Sequence, residues 1–260
     1  MRNTIRTKRL AIAVAFTLAA LMISSAASAY VLLNPPRRWF NADTPRNVRV
    51  DNGGLASVTG NDPDHGVTAA VNAVKAWNGS GVNVTTANSA NVSYTLGDGI
   101  SDLIFADPRH ICTGSCIAAT TTGYYDTGST GTCGGLSVVQ VTDSDVAFNL
   151  SFDYATVAQG SCSSEIYLES VTTHEIGHLI GLAHSSTPSA LMYPSIAYCD
   201  NKGLTSDDIN GRNALYNCTL NENGGGGGGC NLGQRGDACT SDADCCSNSC
   251  KGKPGRKTCK

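Results

Sequence analysis

Apolar residues at Val67, Ala70, Val71, Val74 and Trp77 recur every three or four positions behind Asp62-Pro63, a pair able to cap and open a helix. That spacing predicts one amphipathic helix with a single face against a core. Shorter patterns flank it. Val48 and Val50 alternate with polar neighbours as in a half-buried strand; "DLIFAD" (102–107) reads as a buried strand, and "LSVVQV" from Leu136 and "DVAFN" from Asp145 as two more. A second helix starts near Tyr167. "LTSDDINGRNALY" announces a third, with Thr205 as N-cap, Asp208 as its capping-box partner and Leu204 placed to staple Ile209. Residues 112–135, rich in Gly, Ser and Cys, read as a loop that disulfides keep in order. The sequence of elements is strand, helix, three strands, helix, irregular segment, helix. This is an α+β order in which helices cover a sheet.

Composition divides the chain further. Arg2, Arg6, Lys8 and Arg9 precede an apolar run from Leu10 to Ile23 that ends at Ala27-Ser28-Ala29, the three regions of a secretory signal peptide. Residues 1–29 are therefore expected to be removed, leaving Tyr30 first. The run is shorter than the roughly 20 residues a spanning helix needs, so no membrane span is expected. The protein is expected to be secreted, extracellular or, without further export, periplasmic.

Twelve cysteines suit an oxidising compartment. Six are spread over residues 112–218 and six crowd residues 230–259, with Asn221-Glu222-Asn223 and six glycines between them. These boundaries predict a body at 30–220, a flexible linker at 221–229 and a disulfide-built module at 230–260. Residues 30–229 carry 8 basic and 18 acidic side chains, whereas 230–260 carry 6 and 3. An acidic body argues against nucleic acid as a partner. The basic module could be a stability cap, or could meet an anionic surface through Lys251, Lys253, Arg256, Lys257 and Lys260.

Chemistry concentrates in "HEIGHLIGLAHSSTPSALMYP", residues 174–194, which holds three of the five histidines. His174 and His178, four apart on a helix, share one face and can meet one metal ion. On a continuous helix His184 would lie about 15 Å beyond His174, too far for zinc–nitrogen bonds of about 2.0–2.1 Å. The helix must end and the chain turn back, and Gly181 stands where a left-handed residue is needed. Three imidazoles leave a fourth tetrahedral position open for water, as in a catalytic zinc site. Glu175 is then a general base rather than a ligand. Two exposed histidines on a helix would explain His174 and His178 alone, but not Gly181 and His184. His65 and His110 are isolated and read as ordinary surface or core histidines.

H-E-x-x-H-x-x-G-x-x-H followed by a methionine turn resembles the metzincin zinc endopeptidases. Ser185-Ser186, "ALMYP" (190–194) and "LTSDDINGRNALY" look like the matrixin branch, the matrix metalloproteinases, and the likeness runs from about Trp39 to Tyr216. It implies a twisted, mostly parallel sheet with an antiparallel edge strand, an active-site helix, a Met-turn and a C-terminal helix. It further implies one catalytic zinc and protein or peptide substrates. Met192 would form the floor under the zinc ligands, and Pro194 would wall the pocket for the residue after the cut. The strand near Asp145 to Asn149, with Val146 and Phe148, would be the edge onto which an extended substrate adds. Tyr193 is not assigned to zinc.

The chain also departs from the matrixin pattern. The sheet domain begins almost directly after Ala29 without a visible cysteine-switch propeptide, two spare histidines are too few for a second zinc, and six body cysteines are not the norm. Calcium held by loop aspartates is compatible with the family. The cysteine order C, C, CC, C, C of the tail resembles an inhibitor cystine knot, which implies Cys230–Cys246, Cys239–Cys250 and Cys245–Cys259; spacing alone permits 15 pairings.

The expected activity is secreted zinc-dependent endopeptidase. Two other readings stay open: a binding or toxin-like protein acting through the knot, and a zinc amidase acting on cell-wall peptides.

Overall fold

The computed structural model describes residues 29–41, 45–52, 54–55, 63–89, 92, 94–107, 109–123, 129–223, 239, 250–253 and 256–259. In chain order its elements are β1 (Val31–Leu32), β2 (Arg37–Arg38), β3 (Arg46–Asp51), α1 (Pro63–Lys75), β4 (Val84–Ser89), β5 (Ser101–Ile104), β6 (Ala118–Gly123), β7 (Thr130–Cys133), β8 (Leu136–Gln140) and β9 (Asp143–Phe148). They continue with β10 (Tyr154–Ala155), β11 (Ile166–Tyr167), α2 (Leu168–Leu179), β12 (Leu182–Ala183), α3 (Ser206–Tyr216), β13 (Leu220–Asn223) and the tail hairpin β14 (Cys250–Lys253) and β15 (Arg256–Cys259).

The main sheet has the order β4-β3-β5-β9-β6, with β4, β3, β5 and β9 parallel and β6 antiparallel at one edge. Parallel neighbours need a crossover, and α1 supplies the one between β3 and β4. Val48, Val50, Leu103, Val146 and Phe148 are fully or almost fully buried, as expected where a parallel sheet is covered. α1 packs on α2, and Trp77, just beyond α1, donates its indole N–H to Thr173 O at 2.7 Å. The apolar period of the first helix and the mostly parallel sheet with an antiparallel edge are thus present as expected.

Three expectations need correction. β9 is not the sheet edge: it is paired on one side by β5 and on the other by β6, and Val146 and Phe148 are core residues with no exposed surface. The edge is β6, inside the segment expected to be a loop, and β7 lies in that segment too. Residues 221–223, expected to be linker, extend β13, which pairs with β7 in a second sheet of order β13-β7-β8-β2. The Cys133–Cys218 disulfide brings the two strands together by joining the end of β7 to the residue pair before β13.

Cys112–Cys116 and Cys162–Cys199 complete the body's bridges. In the tail Cys239–Cys250 is bonded. The Cys230–Cys246 and Cys245–Cys259 pairings, all of the expected signal peptide at 1–29 except Ala29, and the glycines at 224–229 lie outside the described residues. Among the described residues, no helix is long and apolar enough to cross a membrane.

A group of buried carboxylates sits where β5 and β9 adjoin. Arg49 on β3 holds its register partner Asp102 with two 2.6 Å hydrogen bonds. Asp143 Oδ2 accepts from Gly97 N (2.6 Å) and Asp145 Oδ1 from Asp102 N (3.0 Å), while Asp143 Oδ1 and Asp145 Oδ2 are buried without a hydrogen-bond partner. Burial first, then Asp143 and Asp102, push the Asp145 carboxyl up to about 7. The native chain therefore retains a proton that an unfolded aspartate, with its ordinary pKa near 4, gives up. This group's stability contribution is present below about pH 4 and is lost as pH rises through about 7. Asp145→Asn keeps the Oδ1 acceptor and removes the charge. It is expected to stabilise the protein at pH 8 by on the order of 1–3 kcal/mol, with the gain shrinking by pH 5, measured by urea unfolding across that range.

Candidate active site

The end of α2 gives the site its shape. Gly181 has φ +109°, a backbone that side chains other than glycine's rarely adopt, and a Cβ there would collide with Arg37 O and meet Leu215. The reversal is braced from outside: Leu33 N donates to Gly181 O at 3.0 Å, and β1 pairs antiparallel with β12, which carries the chain back toward His184. The turn predicted at Gly181 is present, and it brings the third imidazole to the first two. Ring centroids are 4.7 Å apart for His174 and His178, 4.8 Å for His178 and His184, and 5.3 Å for His174 and His184.

Each helical imidazole is fixed at its other nitrogen. His174 Nδ1 lies 2.8 Å from Leu191 O and His178 Nδ1 2.8 Å from Leu182 O. A carbonyl only accepts, so both Nδ1 atoms carry the proton and both Nε2 atoms offer a lone pair. Those two Nε2 atoms are 3.1 Å apart, and the three histidines' ligand atoms lie within 4.8 Å of one another. A tetrahedral ion at about 2.0–2.1 Å from each nitrogen separates its ligand atoms by about 3.3 Å, so the donor set fits zinc. Burial pulls the His174 imidazole down to about 4 and lowers His178 and His184 as well, which keeps all three neutral near pH 7, the form that binds metal.

The Met-turn closes the site from below. Ala190, Leu191 and Met192 are buried, and Ser185 N donates to Met192 O at 2.7 Å. A Cβ at Gly177 would overlap Met192 Sδ, so the sulfur rests on the backbone of α2 between the two histidines. Gly177 therefore matters as much as Gly181, although only the latter stands out in the motif. The Met-turn is held by Asp208. Its Oδ2 accepts from Leu191 N (3.0 Å) and Thr205 N (2.7 Å), and its Oδ1 from Met192 N (2.9 Å). The expected capping box at Thr205 and Asp208 is present, and the same carboxylate reaches beyond it to the turn. Leu204 packs against the core.

Glu175 is 5% exposed and burial raises its carboxyl, with His178 and Thr120 acting in the opposite sense. Thr120, on edge strand β6, donates its hydroxyl to Glu175 Oε2 and ties the carboxylate to that strand. Thr120 carries no motif, and only the sheet pairing reveals it. Two cavities adjoin here. One of about 410 Å³ runs beside Ala119, Thr120 and Thr122 of β6 to His178; the other, about 210 Å³, runs past Val171, Leu191 and Pro194; both include Ala118, Glu175 and His184. Pro194 and Tyr193 both line the second. Val146 and Phe148 line neither.

A model of the matrixin family matches the stretch that contains β6, α2, the Met-turn and α3. The match runs over residues 118–217, under half of the chain. The matrixin stretch has relatives in plants and humans: Metalloendoproteinase 2-MMP of Arabidopsis thaliana is 43% identical over 84 residues, 30% of this chain and 22% of the relative. Metalloendoproteinase 5-MMP of the same plant is 55% identical over 60 residues (23% and 17%), and human neutrophil collagenase 51% over 53 residues (20% and 11%). The chain thus spans less than a quarter of the length of these relatives.

Among the described residues a second group of close ligand atoms is Cys162, Glu165 and Cys199, whose sulfurs are already joined as a disulfide. Among these residues no trio of aspartates or glutamates brings its oxygens equally close.

Proposed function

We propose that the chain is a zinc-dependent endopeptidase acting on extended segments of protein substrates. The observation that carries this reading is the convergence of three neutral imidazoles on one point, beside a buried carboxylate and along an open sheet edge. His174, His178 and His184 would hold zinc, which supplies Lewis-acid chemistry by polarising a carbonyl and easing the deprotonation of water. Glu175 would take the proton of the attacking water and deliver it to the departing amine, its orientation kept by Thr120. Edge strand β6 would pair with the substrate main chain and hold the peptide bond across the two cavities. Matrixin relatives named as metalloendoproteinases support this reading, and body disulfides support an exported protein.

The test combines metal analysis with substrate choice. One zinc per chain is expected, with cleavage of casein that a chelator abolishes and added zinc restores. Hydrolysis of peptidoglycan without casein would favour the amidase reading. Metal-independent target binding by the tail would favour a binding protein. Neither has an observation of its own in the described residues, and contact of the basic tail with an anionic surface is likewise a proposal resting on charge alone.

A further inference from the structure

One helical turn before His174, Ser170 is 1% exposed and its hydroxyl faces Lys202 O (3.1 Å) and Asn201 Oδ1 (3.2 Å). Four residues of rise set this anchor about 6 Å along α2 from the first histidine. The Lys202 side chain is also held in place. Its Nζ donates to Pro188 O (3.0 Å) and Ser195 O (3.4 Å) and lies 5.4 Å from the centre of the Tyr193 ring. An ammonium has three N–H groups, so one donor is left, and among the described residues no carboxylate pairs with the charge. Lys202 lines the 210 Å³ cavity that also contains His174 and Glu175, and the walls between are the apolar Val171, Leu191 and Ile196.

We propose that this cavity takes a glutamate side chain, from the substrate residue after the cut, and that Lys202 reads its carboxylate. The apolar walls cover the methylenes, and the remaining N–H of Lys202 meets the acid in a charge-assisted hydrogen bond. Leucine or methionine fills the walls but desolvates the charge without a partner, and a basic side chain is repelled. The inference rests on the endopeptidase reading and adds the substrate class to it.

The test uses the full chain loaded with zinc and peptides that differ only in the residue after the cut: Glu, Asp, Gln, Met or Leu. Glu is expected to give the highest kcat/KM. Lys202→Met is expected to lower the Glu-to-Met ratio of kcat/KM by about tenfold or more, whereas Lys202→Arg retains most of it. Because the readout is a ratio within one variant, a general loss of folded enzyme cancels from it. A wild-type preference for Leu or Met, or a ratio unmoved by Lys202→Met, would overturn this inference while leaving the peptidase intact. A zinc-loaded chain that cleaves no member of the series and no casein would overturn the peptidase reading itself.

Discussion

Replacing Glu175 by glutamine is expected to lower kcat/KM on a protein substrate by about 10²–10⁴-fold while one zinc per chain is retained. Glutamine has nearly the same volume and still offers Thr120 an acceptor oxygen, so the packing around this 5%-exposed side chain is preserved. What disappears is an oxygen that can hold a proton. The measurement pairs steady-state kinetics with metal analysis, because each contradictory outcome has its own meaning. Full activity with zinc present removes Glu175 from proton transfer; lost zinc makes its role structural.

The second large effect is expected at a residue that touches no substrate. Asp208→Ala removes a buried carboxylate that accepts from Leu191 N, Met192 N and Thr205 N, leaving buried donors without partners. At about 1–3 kcal/mol for each such group, a loss of about 3 kcal/mol or more is expected in urea unfolding. Zinc affinity should fall with it, by about 10–100-fold, because the backbone that Asp208 fixes also presents Leu191 O to His174 Nδ1. Asp208→Asn is not a safe substitute. Its amide keeps one acceptor but would turn N–H donors toward the backbone N–H groups of Leu191 and Thr205. If Asp208→Ala left both stability and zinc affinity unchanged, the coupling of the α3 N-terminus to the metal centre would be disproved.

How much of this was legible in the residues depended on whether local chemistry or distant pairing set the conformation. The histidine trio and Gly181 were legible because a 3.6-residue period, a fixed metal–nitrogen distance and a glycine-only backbone leave one way to close the site. The edge strand was not. "AATTTG" in β6 has no apolar alternation, and it is a strand because β9 offers it a full ladder of partners. The same ladder buries β9 on both sides, so Val146 and Phe148 belong to the core. The Asp residues that open that strand hid its buried, parallel character. Asp208 was readable as a cap, since Thr205 is three positions away; its bonds to residues 16 and 17 positions back were not. Asn221 to Asn223 have a linker's composition, and a disulfide and β7 make them a strand.

Under the endopeptidase reading, an open edge at β6 would constrain which proteins can be attacked. A polypeptide can join that strand only with its own main-chain N–H and C=O groups free, and inside a folded domain those groups are already committed. Native proteins would therefore be cut at exposed loops and frayed termini, or at a rate set by how often a protected stretch opens locally. Heating or mild denaturant that loosens a target without unfolding this chain should then speed digestion in proportion to the opened population.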